Sequence, residues 1–232
     1  MATLVTGYVR LNSKHRSHDR YLELGRRLIG LGLPTVAFYD GAAHELMPMS
    51  STLTMAASLQ SCWLFEQGFT AGPPGGRPDK DTVSYCIVQH QKSAWLAEAA
   101  ALTGDTVVWV DFGIFHLKAA ITDRMVRRFF DAVEAAQPDR ITLPGIWPMH
   151  GRPLINWSSP AWYVAGGVVV VPPDLADWFH ETTVKYATLQ LEQSRMATWE
   201  VNTWSAVYRD HPDKFDVYQA DHDATLFTGF HA

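Results

Sequence analysis

The sequence predicts an α/β domain in which helices flank a mostly parallel, mixed sheet. Strand-like and helix-like segments alternate along the chain, starting with a strand–helix–strand unit within residues 3–39. Residues 106–110, Thr-Val-Val-Trp-Val, have the β-branched and aromatic content of a strand buried on both faces. The 232 residues contain no repeat and no domain-scale linker, so we expect a single domain over residues 1–232.

The N-terminal unit sets the direction of the first two strands. Residues 3–10 are predicted as a strand, and a polar, basic loop follows over residues 11–18. Residues 19–31 place apolar side chains at helical spacing between charges, and glycines and a proline end that helix. Residues 34–39 form the next strand. A βαβ unit of this kind predicts parallel strands with a right-handed crossover.

The middle of the chain is less regular. Residues 52–68 are interpreted as a helix, although the pattern is weak. The glycine- and proline-rich residues 71–78 are incompatible with regular structure and are the best candidate for a mobile loop. A long helix over residues 82–103 then leads through Gly104 and Asp105 into the 106–110 strand.

The C-terminal half continues the alternation and adds an apolar run, residues 161–171, that is broken by two glycines. Asp174 is predicted to cap the helix that follows this run. The predicted elements of this half are helix 121–136, strand 140–144, an ordered loop at 147–160, helix 174–192, helix 199–208 and strand 215–219.

Composition narrows the possible settings. The formal net charge of −5 offers no global attraction for nucleic acid or an anionic membrane. No stretch is long and apolar enough to span a membrane, and the N-terminus lacks a signal-peptide pattern. Cys62 and Cys86 lie in helix-like segments and are most simply free buried thiols, although a disulfide stays open. We therefore expect a cytoplasmic protein.

Asp111 is the first candidate functional residue. It ends the apolar 106–110 strand and is followed by Phe112 and Gly113. An ionised carboxylate is costly inside such a strand, so Asp111 is expected at its carboxyl end, the edge where open α/β sheets bind ligands. A lone acid there can hold Mg²⁺ together with waters and substrate phosphates. Capping the next helix is an equally typical use of such an acid.

Two further features combine glycine or histidine with ligand-binding chemistry. Gly166 and Gly167, after Trp162, suggest a groove floor where a ligand lies on the main chain, or a strand bend required by packing. His222, between Asp221 and Asp223, fits a metal ligand or a phosphate contact, whereas a polar surface tail is the common alternative.

Charged residues supply the remaining candidates. Glu200 lies between two tryptophans and could act as a base, or face solvent on its helix. Lys92, on the helix before the Asp111 strand, could neutralise a phosphate, or be an ordinary exposed lysine. Arg10, Lys14 and Arg16 form a small basic set after the first strand.

The order of these features resembles a known family. The strand Leu-Val-Thr-Gly-Tyr at residues 4–8, the Asn-Ser-Lys-His loop, the Tyr-Asp pair ending at Asp40 and the core Trp-Val-Asp-Phe-Gly-Ile at 109–114 are similar to HtrL/YibB-type glycosyltransferases. More broadly, the chain resembles the GT-A-fold nucleotide-sugar transferases, a Rossmann-like class. The resemblance runs from residue 3 to about residue 223, with residues 42–81 poorly matched.

The resemblance implies a set of site residues. Asp111 would hold Mn²⁺ or Mg²⁺ on a donor diphosphate with His222, and Glu200 would be the catalytic carboxylate near the reacting centre. Gly113 stands where the usual motif has a second acid, which puts metal binding in doubt. The implied substrate-binding residues are Thr6, Tyr8, Arg10, Lys14, Asp40, Lys92, Trp162, Gly166 and Gly167.

The function so implied is transfer of a sugar from a nucleoside diphosphate sugar to an unidentified acceptor, which could be a glycan, a lipid-linked glycan or a modified nucleobase. One alternative is a nucleotide- or glycan-binding module of the same fold with weak or no turnover. Another is a metal-dependent phosphoryl hydrolase that uses Asp111 with Asp221, His222 and Asp223.

Overall fold

A computed structural model describes residues 1–11, 16–41, 51–69, 71–117 and 121–231. Its seven strands form one sheet. The strands are β1 (Ala2–Tyr8), β2 (Thr35–Tyr39), β3 (Thr52–Ala56), β4 (Thr106–Val110), β5 (Ile141–Gly145), β6 (Val168–Val171) and β7 (Phe215–Gln219). The helices are α1 (His18–Ile29), α2 (Val83–Thr103), α3 (Asp123–Ala136), α4 (Pro173–Ser194), α5 (Glu200–Asp210) and α6 (Thr225–Thr228).

The sheet has the strand order β3-β2-β1-β4-β6-β5-β7. Strand β6 runs antiparallel to both of its neighbours, and all other pairs are parallel. The carboxyl ends of β1, β2 and β4 therefore lie at one edge, as the βαβ pattern predicts. Because β6 is reversed, its beginning meets the end of β4, and Val168 pairs with Val110. The reversal brings Gly166 and Gly167 to the edge where Asp111 lies.

Helices cover both faces of the sheet. One hydrophobic cluster joins α2, α4 and α5 to one face, and a second joins α1, α3 and α6 to the other. In β4, Val107 and Trp109 belong to the first cluster and Val108 and Val110 to the second. This alternation explains why the strand is apolar at every position. Asp111 follows the same alternation, so its side chain lies on the α2 side of the sheet, next to Lys92.

The helix ends follow local sequence signals. Thr82 caps α2 by accepting a hydrogen bond from the Tyr85 amide, and Gly104 closes that helix with a left-handed φ of 68°. Helix α4 begins with Pro173 in its first turn, so Asp174 lies inside that turn and is not the cap.

The predicted helix at 52–68 is wrong. Thr52–Ala56 form an edge strand that pairs in parallel with β2, and turns follow it. None of these five residues is buried, so the strand lacks the continuous apolar run that marks the central strands. Cys62 therefore lies in the irregular segment after β3 and only Cys86 lies in a helix, and both are buried free thiols.

Residues 71–78 lack helix and strand, as predicted. This loop is packed against another part of the chain, since the Gly75 amide donates to the Ser158 carbonyl at 2.8 Å. A Cβ at Gly75 would lie 2.3 Å from that carbonyl oxygen, which makes glycine necessary there. Within the described ranges, no helix is long and apolar enough to cross a membrane.

Candidate active site

A cleft of about 530 Å³ opens at the carboxyl edge of β1 and β4. It collects most of the residues singled out from the sequence: Tyr8, Arg10, Lys92, Asp111, Trp162, Gly166, Gly167, Glu200 and His222. Residues from β1, α2, β4, the start of β6 and α5 meet there. This convergence makes the cleft the candidate active site.

Asp111 is fixed by its neighbours and keeps one side open. Its Oδ1 accepts a hydrogen bond from Trp109 Nε1 at 2.8 Å, and its amide donates to the Gly167 carbonyl at 3.0 Å. The side chain is 34% exposed, and no hydrogen bond to Oδ2 is found in the described part of the chain. The 3-10 helix at Ile114–His116 has no side-chain cap. Helix capping is therefore not the role of Asp111.

Lys92 joins the two carboxylates of the cleft. Its Nζ lies 2.9 Å from Asp111 Oδ1 and 2.8 Å from Glu200 Oε1, and it donates to the Gly166 carbonyl at 3.0 Å. The side chains of Lys92 and Glu200 are 2% and 6% exposed. An ammonium has three N–H donors, so these three acceptors use all of them.

Lys92 is therefore a buried cation of the site. Burial alone would lower the pKa of Lys92, but Asp111 and Glu200 outweigh burial and raise this pKa above that of an ordinary lysine. The Trp109 ring adds a cation–π contact at 5.5 Å. The expectation that Lys92 contacts a phosphate does not fit this geometry, because no N–H remains for a ligand.

The two glycines have different reasons to be glycine. A Cβ on Gly166 would lie 2.2 Å from Glu200 Oε1, so any side chain there would displace the carboxylate. A Cβ on Gly167 would make ordinary contacts, 3.5 Å from Ile114 and 3.8 Å from Asp111 Oδ2. Gly166 thus serves the ion-pair network, while Gly167 keeps space open beside the free oxygen of Asp111.

Two residues predicted to bind the donor lie at the ends of β1 and β2, and only Tyr8 of the two lines the cleft, whereas Asp40 does not. Tyr8 stacks on Phe112 at 5.0 Å and its hydroxyl lies 2.8 Å from His18 Nδ1. Burial, with the charge of Asp40, raises the pKa of Tyr8 to about 12, so the phenol is neutral. Asp40 accepts a hydrogen bond from the Arg10 amide and does not line the cleft.

Two predicted residues do not take part in the described cleft. Thr6 is fully buried and its Oγ1 donates to the Val110 carbonyl at 2.8 Å, so Thr6 ties β1 to β4 and does not face a ligand. Lys14 lies outside the described residues.

Of the Asp221-His222-Asp223 cluster, only His222 lines the cleft. Its ring meets the edge of Trp162 with centroids 4.3 Å apart, and burial lowers its pKa, so the ring is neutral at pH 7. Asp221 accepts from the His222 amide, and Asp223 accepts from the amide and hydroxyl of Thr225. The two acids thus shape the turn before α6 and do not line the cleft with Asp111, which removes support for the hydrolase alternative.

Some residues of the cleft were not anticipated. They are Lys80 and Asp81, within the poorly matched residues 42–81, together with Tyr85 and Trp199. Asp81 Oδ1 accepts from Trp199 Nε1 at 3.1 Å, and this bond holds the 77–82 turn over the cleft beside Glu200. For Lys80 and Asp81, the one available signal was their position just before Thr82, the cap of α2.

The donors around Asp111 do not fit a divalent metal ion. Among the residues that the structure describes, no three His, Cys, Asp or Glu side chains are grouped to hold one. Asp111 Oδ1 is already bound by Trp109 and Lys92, and Gly113 supplies no second carboxylate. The Lys92 ammonium, 2.9 Å from Asp111, would also repel a cation there.

Comparison with known proteins identifies the fold. The crystal structure of mouse xyloside xylosyltransferase 1, apo form, superposes with a TM-score of 0.53 at 10% sequence identity, covering 94% of this chain and 85% of that one. It is a glycosyltransferase of the GT-A type, so the predicted GT-A-like fold is confirmed. No family model matches the sequence, and neither does any curated protein.

Proposed function

We propose that this protein is a glycosyltransferase that moves a sugar from a nucleoside diphosphate sugar to an acceptor. The observation that carries the proposal is the cleft at the carboxyl edge of β1 and β4, where Asp111 presents a free oxygen in a GT-A-like fold. A bond from the anomeric carbon to the diphosphate would break and one to an acceptor oxygen would form. The acceptor proton would need a carboxylate.

Two carboxylates compete for that role. Glu200 is the predicted catalytic residue, but its side chain is 6% exposed and bonded to Lys92. Asp111 is more open, and its Oδ2 faces the space beside Gly167. These contacts favour Asp111 as the group that touches substrate and Glu200 as the residue that positions Lys92. Helix α5 supports that position, because its N-terminal dipole stabilises the charge of Glu200 in the first turn.

The finer assignments remain proposals. Membership of the HtrL/YibB-type family rests on the residues quoted for it. The acceptor would be a glycan, a lipid-linked glycan or a modified nucleobase, and the net charge of −5 gives nucleic acid no general support. A cytoplasmic location also remains a prediction, whereas the Mn²⁺ or Mg²⁺ ion expected at Asp111 and His222 does not fit the donors found around Asp111.

A nucleotide panel tests the proposal. Thermal denaturation with UDP, GDP, ADP, CDP and dTDP, with and without Mn²⁺, should show stabilisation by at least one of them. No response to any of these nucleotides would exclude a nucleoside diphosphate sugar as donor. Binding without turnover of the matching sugar donors would favour the non-catalytic binding module.

Turnover then tests Asp111. Asp111→Asn should lower donor turnover by at least about 100-fold, as loss of a charged transition-state contact does. Asp216→Asn is the matched control, because Asp216 is an exposed acid on β7 paired with Arg140 at 3.4 Å. Wild-type turnover in Asp111→Asn would remove Asp111 from the mechanism.

A further inference from the structure

Positive charge gathers in the cleft although the whole chain is acidic. The charged side chains that line it are Arg10, Arg16, Arg77, Lys80, Lys92, Asp81, Asp111 and Glu200. Lys92 binds two of the three carboxylates, and Arg77 pairs with Asp79 outside the cleft. Within the described part of the chain, no ion pair is found for the other cations, Arg10, Arg16 and Lys80. These three are available to an anionic ligand.

Lys80 is held at the cleft by the turn that carries it. Its amide donates to the Arg77 carbonyl at 3.0 Å, and its carbonyl accepts from the Thr82 amide at 2.9 Å. Its Nζ lies 5.3 Å from the centroid of the Tyr85 ring. The neighbouring Asp81 bonds to Trp199, which precedes Glu200. The backbone around Lys80 is thus tied to the same helix that holds the ion-pair network.

Arg16 lines the cleft from its position just before α1. Its guanidinium lies 5.1 Å from the centroid of the Tyr21 ring, and its Nη1 is 3.8 Å from the position that a Cβ on Gly113 would take. Arg16 and Lys80 also act on one imidazole. Burial lowers the pKa of His116, and the charges of both cations lower it further against a backbone hydrogen bond to Gly113. Both cations line the same cleft as Gly113 and His116, which follow Asp111.

Fixed cations fit this place better than a divalent ion does. A metal at a donor diphosphate needs carboxylate ligands, whereas here Gly113 replaces the second acid and Lys92 already binds Asp111. Arginine and lysine neutralise phosphate without requiring any carboxylate, and arginine can do so with two parallel hydrogen bonds.

We propose that Lys80 and Arg16 bind the diphosphate of the donor and that the transferase works without a divalent metal ion. The inference rests on the proposed function. As the bond from the sugar to the diphosphate breaks, the electron pair stays on the diphosphate oxygen, and the two side chains stabilise the charge that develops there. Lys92 acts behind them by holding Asp111 in place.

Titration calorimetry of the tightest-binding nucleoside diphosphate tests the inference. The wild type should bind it with the same Kd in EDTA and in Mn²⁺. Lys80→Gln and Arg16→Gln should each weaken binding by about tenfold or more, since each removes a charge-assisted hydrogen bond. Binding of the matching nucleoside, which lacks phosphates, should stay unchanged in both variants.

Exposed residues far from the cleft supply the controls. Lys185→Gln on α4 and Arg128→Gln on α3 change the net charge equally and should bind like the wild type. Binding that requires Mn²⁺, or a Kd for Lys80→Gln and Arg16→Gln equal to the controls, would overturn the inference and leave the proposed function standing. If no nucleotide binds under either condition, the proposed function itself falls and the inference falls with it.

Discussion

Replacing Lys92 with methionine tests the ion-pair network directly. Methionine keeps the length and apolar stem of the side chain but removes the ammonium. Glu200, 6% exposed, would then be a buried carboxylate without its cation, and the Gly166 carbonyl would lose its donor. Asp111 is 34% exposed, so water would screen its share of the loss.

The size of the effect follows from this difference in burial. Breaking a buried ion pair by removing one partner costs about 3–5 kcal/mol, and nearly all of it should come from the Lys92–Glu200 contact. For a chain of this length, about 3 kcal/mol corresponds to a fall in Tm of at least about 6 °C. We therefore expect Lys92→Met to unfold at clearly lower urea concentration and temperature than the wild type.

The double variant Lys92→Met/Glu200→Gln separates charge from packing. Neutralising Glu200 removes the uncompensated charge, so the double variant should recover at least half of the lost free energy of unfolding. Urea denaturation followed by circular dichroism measures both variants at pH 7. A Tm for Lys92→Met within about 2 °C of the wild type, roughly the effect of a surface substitution, would refute a buried network at this site. A double variant less stable than Lys92→Met would refute the charge argument.

Two further predictions concern the glycine pair and a buried histidine. Gly166→Ala should lose about 1–3 kcal/mol, because its Cβ would overlap Glu200, whereas Gly167→Ala should fold like the wild type; equal losses in urea denaturation would contradict this. His90 donates to the Cys86 carbonyl and accepts from Thr203 Oγ1, and burial lowers its pKa below 6.5. As the pH falls, the unfolded chain therefore binds this proton at a higher pH than the folded chain does. The free energy of unfolding should fall as the pH drops below about 6.5, and it should fall less steeply in His90→Gln.

The sequence predicted the elements whose signals are local. The β-branched run before Asp111 marked β4, and the glycines after Trp162 marked the groove beside it. The strand–helix–strand unit also predicted parallel strands correctly. These features depend on side-chain periodicity and on the few residues that end an element, which are visible without any partner.

The ion-pair network of Lys92 depends on contacts between residues far apart in the sequence, and local sequence patterns do not predict such contacts. Lys92 and Glu200 are 108 residues apart, and their contact needs the reversed strand β6 to carry Gly166 between them. The four valines of β6 do not indicate whether the strand runs parallel or antiparallel to its neighbours. An ordinary exposed lysine was the common alternative for Lys92, yet Lys92 and its neighbours at residues 90–93 are all buried, because α2 lies between the sheet and α4.

Because Lys92 binds both Asp111 and Glu200, a substitution of either carboxylate affects stability and turnover together. Asp111→Asn and Glu200→Gln each remove a charge that Lys92 compensates, so each should change stability as well as turnover. Since Glu200 is the more buried of the two, its substitution should perturb the fold more for a given loss of activity. Asp111 has a free Oδ2, so Asp111→Asn should lose more activity for a given loss of stability. Comparing loss of turnover with loss of unfolding free energy in the two variants therefore distinguishes the carboxylate that meets substrate from the one that positions the lysine.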